Sequence, residues 1–523
     1  MKRNILLMSI VLSLILTDTG FSQNDFSVIS RVMKDEQICF AMYTVQNNIM
    51  KMTAQLYPLD EKDDRFVRLE LRENEVWKEI AKEKINENSY HSVDDARSWT
   101  AVFRIENWDS ERDMEYRVAH GEDAFFYGKI RKDPIDKETI VVAAFTGNSN
   151  KDRSQRTDLI ENIKAQDPDL LFFSGDQSYD HEYHLAAWLL FGRQFSEIIK
   201  DRPTVAIPDD HDVGQGNLWG AGGVNTEVPA GNNGGYFMPA EYVIEVERAQ
   251  TSNLPDPYDP TPVEQGIGVY YTSLNIGGID FAIIEDRKFK SGPAGLVPQQ
   301  GPRPDHILDP DYDPKTVDVE GAQLLGERQL KFLHEWGQDW RGVQMKAVLS
   351  QTVFANAAHI HRGDRLMADM DSNGWPQTGR NRALEEIRRS FALMIGGDQH
   401  LATVIHHGID DWDDSGFSFC VPSIVNYYPR QWLPLSTNPY TLSIELDHTG
   451  RYLDGFHNKI TMHAYANPDE DNTLYPKWRE EGYWGKLAAG HGIIRFNKKE
   501  RSIVMEAWPR GVDVTKEDAK QFP

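Results

Sequence analysis

The sequence predicts an α/β chain preceded by an antiparallel β-sandwich, and three observations carry that prediction. Between about residues 37 and 132 the chain is a series of short runs rich in β-branched and aromatic residues (ICFAMYTV, MKMTAQLYPL, FVRLELRE, WTAVFRIENW, MEYRVAHG) with polar breaks between them. Runs of that length and spacing read as a sandwich of the immunoglobulin or fibronectin type. After Asp133 and Pro134 the texture changes to apolar strands alternating with amphipathic helices, the signature of an α/β sheet. Within that region three apolar runs each exit into acidic or imidazole side chains: 170–173 into SGDQSY, 204–207 into PDDHD and 391–395 into GGDQH. Open α/β sheets place ligands where the carboxyl ends of their strands form a crevice, so these three exits are read as one site.

The elements follow in order. Residues 139–145 (TIVVAAF) predict a strand, 158–166 a helix, 170–174 a buried strand and 183–199 a longer helix with an apolar stripe through Leu185, Trp188, Leu189, Phe195 and Ile198. The charged stretch 73–84 fits either a helix or a polar strand pair. Two insertions, 213–265 and 291–320, are so rich in Gly, Pro and Asp that they are expected to be loops forming lids or site walls. Between them Gly277 and Gly278 separate two apolar runs, predicting a hairpin. Helices are expected at 327–340 and 382–390, with a short strand at 345–349. The β-rich runs after Leu401 are expected to complete a second sheet packed on the first. The domain organisation expected is 1–23 leader, 24–134 sandwich and 135–523 α/β region.

Composition narrows the function classes. Acidic residues exceed basic ones by 25, which argues against a nucleic-acid partner held on a basic face. Residues 1–23 begin with Lys2 and Arg3, continue through an apolar stretch too short to span a bilayer, and end in small and polar residues. That is the pattern of a cleavable secretory leader, so a periplasmic or secreted protein without a membrane span is expected. Cys39 and Cys420 are the only cysteines, which rules out a disulfide framework and leaves open whether they pair.

At the first exit Asp176 can bridge two cations and Tyr179 can fold back as a phenolate ligand, although Asp176 alone would serve as a helix N-cap equally well. At the second, four ionisable residues in a row would repel one another unless cations or hydrogen bonds compensate. Asp209 or Asp210 can ligate metal, His211 can give a proton to a leaving oxygen and Asp212 can orient its imidazole; the alternative is an exposed acidic turn. At the third, Asp398 and His400 are two residues apart and would point to one side of an extended segment. The adjacent His406 and His407 face opposite ways on a strand, so at most one could join.

With these motifs the chain resembles the alkaline phosphatase D (PhoD-like) branch of the calcineurin-like metallophosphoesterases. The family's G-D-x-x-Y falls on Gly175, Asp176 and Tyr179, its D-D-H-D/E on residues 209–212 and its G-D-x-H on Gly397, Asp398 and His400. Weaker landmarks are DRKF at 286–289, LGERQLKFL at 325–333 and LSQ at 349–351. The resemblance implies a two-sheet αββα sandwich and hydrolysis of phosphate mono- or diesters outside the cytoplasm by a polynuclear metal centre. One departure stands out. Where the family offers a cysteine to ferric iron, this chain has Phe145, Thr146, Gly147 and Asn148, so Asn148 is the candidate oxygen ligand in its place.

The expected ligand set is thus Asn148, Asp176, Tyr179, Asp209 or Asp210, Asp398 and His400. It is dominated by oxygen and suits two or more divalent cations, calcium or manganese in the first place, with iron or zinc admissible at one subsite. The expected mechanism is in-line attack of a metal-activated hydroxide on an ester, with His211 protonating the leaving group and Arg287 or Lys288 contacting the ester's free oxygens. Two other readings compete. One is a sulfate-ester hydrolase acting on extracellular saccharides, of a kind without formylglycine because no C-x-P-x-R or S-x-P-x-R occurs. The other is a non-catalytic glycan-binding protein with a degenerate site.

Overall fold

A computed structural model describes residues 29, 31–91, 96–361, 363–435, 441–443, 446–469 and 484–522. The expected leader at 1–23 lies outside the described residues. Seven strands come first: β1 (Ile38–Gln46), β2 (Ile49–Leu56), β3 (Phe66–Glu73), β4 (Val76–Lys84), β5 (Thr100–Ile105), β6 (Met114–His120) and β7 (Ala124–Ile130). They form a three-stranded sheet in the order β1-β2-β5 and a four-stranded sheet in the order β4-β3-β6-β7. Both bury their inward residues in one core, among them Tyr43, Met52 and Phe103 from the first sheet and Val67, Leu69 and Val118 from the second. The stretch whose conformation was left open, 73–84, is the outer strand β4, and its charged residues alternate on an exposed edge where lysines discourage further pairing.

The second part is built on β8 (Thr139–Asn148), α1 (Thr157–Gln166), β9 (Leu170–Phe173), α2 (His184–Ile199), β10 (Thr204–Ala206), α3 (Ala240–Thr251), β11 (Thr272–Ile276), β12 (Ile279–Ile283), α4 (Gly326–Gln338) and α5 (Gln377–Arg388), with further strands between and after the last helices. β10, β9 and β8 run parallel in one sheet. In the other, β12 runs parallel to the strands Met345–Leu349, Leu393–Gly396 and Phe417–Cys420. Period-two alternation divides each strand between two cores. Ile140, Val142 and Ala144 of β8 with Leu170 and Phe172 of β9 meet Phe281, Ile283, Ala347, Leu349 and Ile395 in the space between the sheets. The alternate residues Ala143, Phe145, Leu171 and Phe173 pack outward on Leu159 and Ile163 of α1 and Trp188, Phe191 and Phe195 of α2. Ala282, Val348 and Met394 do the same against Phe332 and Leu333 of α4 and Leu384 and Ile387 of α5. The layers are therefore helix, sheet, sheet, helix.

Two expectations are corrected. The insertion 213–265 is not all loop: it contains α3, whose Tyr242, Val243, Val246 and Ala249 are buried at helical spacing. Pro239 at its N-cap and the glycines before it gave the segment a loop's composition. The last two strands, Gly490–Asn497 and Ser502–Pro509, do not join the second sheet. Gly490–Asn497 runs antiparallel to β8 and extends the first sheet. Cys39 and Cys420 are both unpaired thiols. Among the described residues no helix is long and apolar enough to cross a membrane.

The sandwich is anchored on α2 and α3 by apolar contacts and by one buried polar chain. His184 of α2 lies between the Tyr90 hydroxyl at 3.1 Å and Gln250 Nε2 of α3 at 3.2 Å. Burial holds the imidazole neutral and lowers its pKa from 6.5 to about 3. An unfolded chain takes up that proton near the ordinary value, so unfolding binds protons as the pH falls through this window, and stability is lost from pH 6.5 downward. Each such histidine contributes a slope of about 1.4 kcal/mol per pH unit, and His491 and His359 add to it in the same direction. Denaturant midpoints measured from neutral to acid pH should fall steeply for the native chain and less steeply for His184→Gln; parallel curves would remove His184 from the account.

Candidate metal centre

Because β8, β9 and β10 are parallel, and β12 is parallel to Met345–Leu349 and Leu393–Gly396, the carboxyl ends of six strands open on one edge of the two sheets. The three motif loops leave from that edge, as do 285–287 after β12 and 350–352 after Met345–Leu349. Space is short there. A Cβ on Gly175, at φ +130°, would stand 2.4 Å from Asp209 Cβ, and one on Gly397 would stand 2.4 Å from Ser174 Oγ. The catalytic candidates themselves are bent into the left-handed region, with Asp176 at φ 60°, Asp398 at 62° and His400 at 53°. Such conformations cost free energy for residues with a Cβ and collect at functional sites.

Asp176, Asp209, Asp210 and Asp398 converge and are all buried. Donor atoms of Asp209, Asp210 and Asp398 form one group, and those of Asp176, Asp210 and His211 another, each with its atoms within 4.8 Å of one another. Tyr179 donates to Asp176 Oδ2 at 2.6 Å, and its hydroxyl is 3.3 Å from His400 Nε2. Asn426 Oδ1 lies 3.2 Å from His400 Nδ1, which leaves Nε2 turned inward for coordination. The other oxygen of Asp176, Oδ1, is buried and has no hydrogen-bond partner. Desolvation, followed by the charges of neighbouring carboxylates, pushes Asp176 far above the ordinary carboxylate range; burial also raises Asp209, Asp210 and Asp398, while Arg287 pulls these three back.

Three expected roles are corrected. Asn148 does not face the carboxylates. Its Oδ1 accepts from Arg156 Nε and Nη2 at 3.0 and 2.8 Å, and its Nδ2 donates to Gln194 Oε1 at 2.9 Å, so its oxygen is spent on a buried guanidinium. Asp212 does not orient His211. It accepts the backbone N–H groups of Asp176 at 2.8 Å, Asp209 at 2.9 Å and Ser178 at 3.1 Å, and Gln250 Nε2 at 3.1 Å, which ties the first two motif loops together. His211 Nδ1 instead lies 2.7 Å from Nε2 of His181, and its ring packs on Tyr179 at a 31° tilt with centroids 4.1 Å apart. Arg287 is no free base for an ester: it is wholly buried and reaches Asp209, Asp371 and Asp398 at 2.8 Å each. Lys288 is likewise paired, with Glu247 and Glu285. Neither His406 nor His407 joins; the first lies against Ser415 and the second against Arg380 and Ser418.

A cavity of about 150 Å³ opens over the carboxylates, walled by Asn217 from the first insertion, Arg303 and His306 from the second, and His361, Asp369, Asp371, Tyr427, Tyr428 and Arg430 from later loops. Both insertions thus form site walls, as their composition suggested. The sequence reading missed His181, although it sits two residues beyond Tyr179. It also missed Asp371, which lies in a loop, and Arg430, which lies in a two-residue strand too short to show periodicity. The residues present fit cations: four buried carboxylates with raised proton affinity, an unpartnered oxygen on Asp176 and the His400 imidazole beside Tyr179 are a donor set dominated by hard oxygen. Asp209, Asp210 and Asp398 would hold one cation, and Asp176, with Tyr179 and His400 beside it, a second.

With fold and site described, the layered fold is one found in two solved structures of known proteins. The chain is similar to the solved structure of PhoD, at 12% identity and a TM-score of 0.62 over 94% of this chain and 90% of that one. It is also similar to the purple acid phosphatase PPD1 isolated from yellow lupin (Lupinus luteus) seeds, at 12% identity and a TM-score of 0.54 over 92% of this chain and 72% of that one. No protein-family model matches the chain, and no curated protein matches it.

Proposed function

We propose that the chain is an exported, metal-dependent phosphoester hydrolase of the alkaline phosphatase or phosphodiesterase type. The observation that carries this reading is the convergence of Asp176, Asp209, Asp210, Asp398, Tyr179 and His400 at one edge of the sheets, with Asp176 Oδ1 buried and unpartnered. The strand order of the sandwich supports a fibronectin-like N-terminal domain, 24–134, ahead of a catalytic domain, 135–523. Export rests on residues 1–23.

Divalent cations bound there would lower the pKa of a water and neutralise the ester's free oxygens. With Asn148 withdrawn the set is almost all oxygen, which favours calcium or manganese; His400 admits iron or zinc at the subsite it shares with Tyr179. His211, whose Nδ1 lies 2.7 Å from Nε2 of His181, stands beside Asp176 and Asp210 and is the group proposed to protonate the leaving oxygen. Arg430 takes the part expected of Arg287. It lines the cavity, and its buried Nε and Nη1 have no hydrogen-bond partner, so both can donate to the ester's non-bridging oxygens.

Phosphate monoester, phosphate diester and sugar sulfate, assayed side by side with and without chelator, test the proposal. Turnover of a phosphate ester that chelator removes is the expected result. Turnover of the sulfate alone would transfer the site to sulfate esters, and no turnover in any arm would leave a binding protein. His211→Ala should slow alkoxide leaving groups by ~10²-fold to ~10⁴-fold while sparing a nitrophenolate, which leaves without a proton. Equal losses on both would reassign His211 to structure or metal binding.

A further inference from the structure

Across the cavity from the carboxylates stands a second cluster, formed by His306, His361 and Asp369, all buried, with one donor atom of each within 4.8 Å of the others. Short strand pairs bring them together. His306 is the register partner of Asp369, and His361 is the register partner of Arg430. His361 Nε2 is buried without a hydrogen-bond partner, a nitrogen left available to a metal. Asp369 is oriented by the backbone, because its Oδ1 accepts the N–H of Asp371 at 3.0 Å. Its Oδ2 is 3.8 Å from His361 Nε2 and 4.0 Å from Arg430 Nη1.

These separations decide between a hydrogen-bonded network and a metal site. A hydrogen bond would draw the His361 and Asp369 atoms to about 2.7–3.2 Å. Ligands around a tetrahedral zinc stand about 3.3 Å apart, closer to the 3.8 Å observed. Charge favours a cation over an anion: the cluster itself contains the Asp369 carboxylate, and Arg430 Nη1 stands no nearer to it than 4.0 Å. We propose that His306, His361 and Asp369 form a separate site for a divalent cation of the zinc class, with its fourth position open to the cavity. Two imidazoles and one carboxylate favour zinc over the calcium or manganese of the carboxylate centre. The inference does not depend on the hydrolase proposal.

The test counts metal rather than turnover. The full chain is stripped with chelator, equilibrated with Zn²⁺ alone and analysed for zinc per chain, as are His361→Gln, His306→Gln and Asp176→Asn. Each histidine variant should bind one equivalent less than the native chain, and Asp176→Asn should keep that equivalent. Cobalt(II) in place of zinc gives a second readout on unaltered protein: visible bands of nitrogen and oxygen coordination should appear in the native chain and in Asp176→Asn and be lost in His361→Gln. Equal zinc content and an unchanged cobalt spectrum in native chain and His361→Gln would overturn the site. So would inorganic phosphate, rather than Zn²⁺, protecting His306 and His361 of the native chain from an acylating reagent.

Discussion

Asp176→Asn is expected to abolish turnover, by at least about 10³-fold, while the fold survives. The backbone explains the survival. The anchor of this loop is the Asp176 N–H bond to Asp212 Oδ2, which an asparagine keeps. The side chain explains the loss. Oδ2 accepts from Tyr179 and Oδ1 is unpartnered, so the carboxylate would offer cations held here two charged oxygens, whereas an amide would offer one oxygen and no charge. Asp176 is also a costly residue in the metal-free state, since burial and three neighbouring carboxylates oppose its ionisation. The amide should therefore leave the stripped protein as stable as the native chain or more so, the trade expected where a site is strained for function. Turnover, metal content and thermal unfolding of both proteins check this. Full activity at full metal occupancy would sink the bridging role, and a collapsed fold would show the carboxylate to be structural.

Arg287→Ala should bring the largest loss of stability of any substitution at the site. The guanidinium holds Asp209, Asp371 and Asp398 together from a fully buried position. Removing one partner of a buried ion pair typically costs about 3–5 kcal/mol, because the remaining charge stays desolvated and unpaired. Here three carboxylates lose their partner at once. Arg287→Lys should recover part of the loss, since it restores the charge but not the fork that reaches three acids. Added divalent cation should recover part of it too, by replacing the missing positive charge. Thermal unfolding in chelator and in calcium or manganese measures both recoveries; an unchanged midpoint for Arg287→Ala in chelator would mean that the carboxylates are protonated and need no counter-charge.

Much of the site was legible because it depends on strand exits. A continuous apolar run bounded by polar residues announces a buried strand, and β9, β10 and Leu393–Gly396 each deliver a motif to the same edge through parallel pairing. Asp176, Tyr179, Asp209, Asp210, His211, Asp398 and His400 were found that way. The three misread roles have a common cause. Sequence spacing gives the place where a side chain leaves the backbone, not the partner that captures it. Asn148 leaves at the expected strand end but is captured by Arg156, Asp212 by backbone amides, and Arg287 by three acids.

What the sequence alone determined, then, was the alternation of strands and helices, the preceding sandwich strands and the acidic motifs, because these rest on local periodicity and on strands that are buried whichever neighbours they take; the helix, sheet, sheet, helix layering was implied only by the family resemblance. The tertiary structure alone decided which sheet received the last two strands, that Gln250 of α3 reaches Asp212, and that His306, His361, Asp369 and Arg430 share one cavity. The four cavity residues sit in two-residue strands too short to show a period, and long-range pairing such as that of His306 with Asp369 is set by the closure of the whole core rather than by either segment.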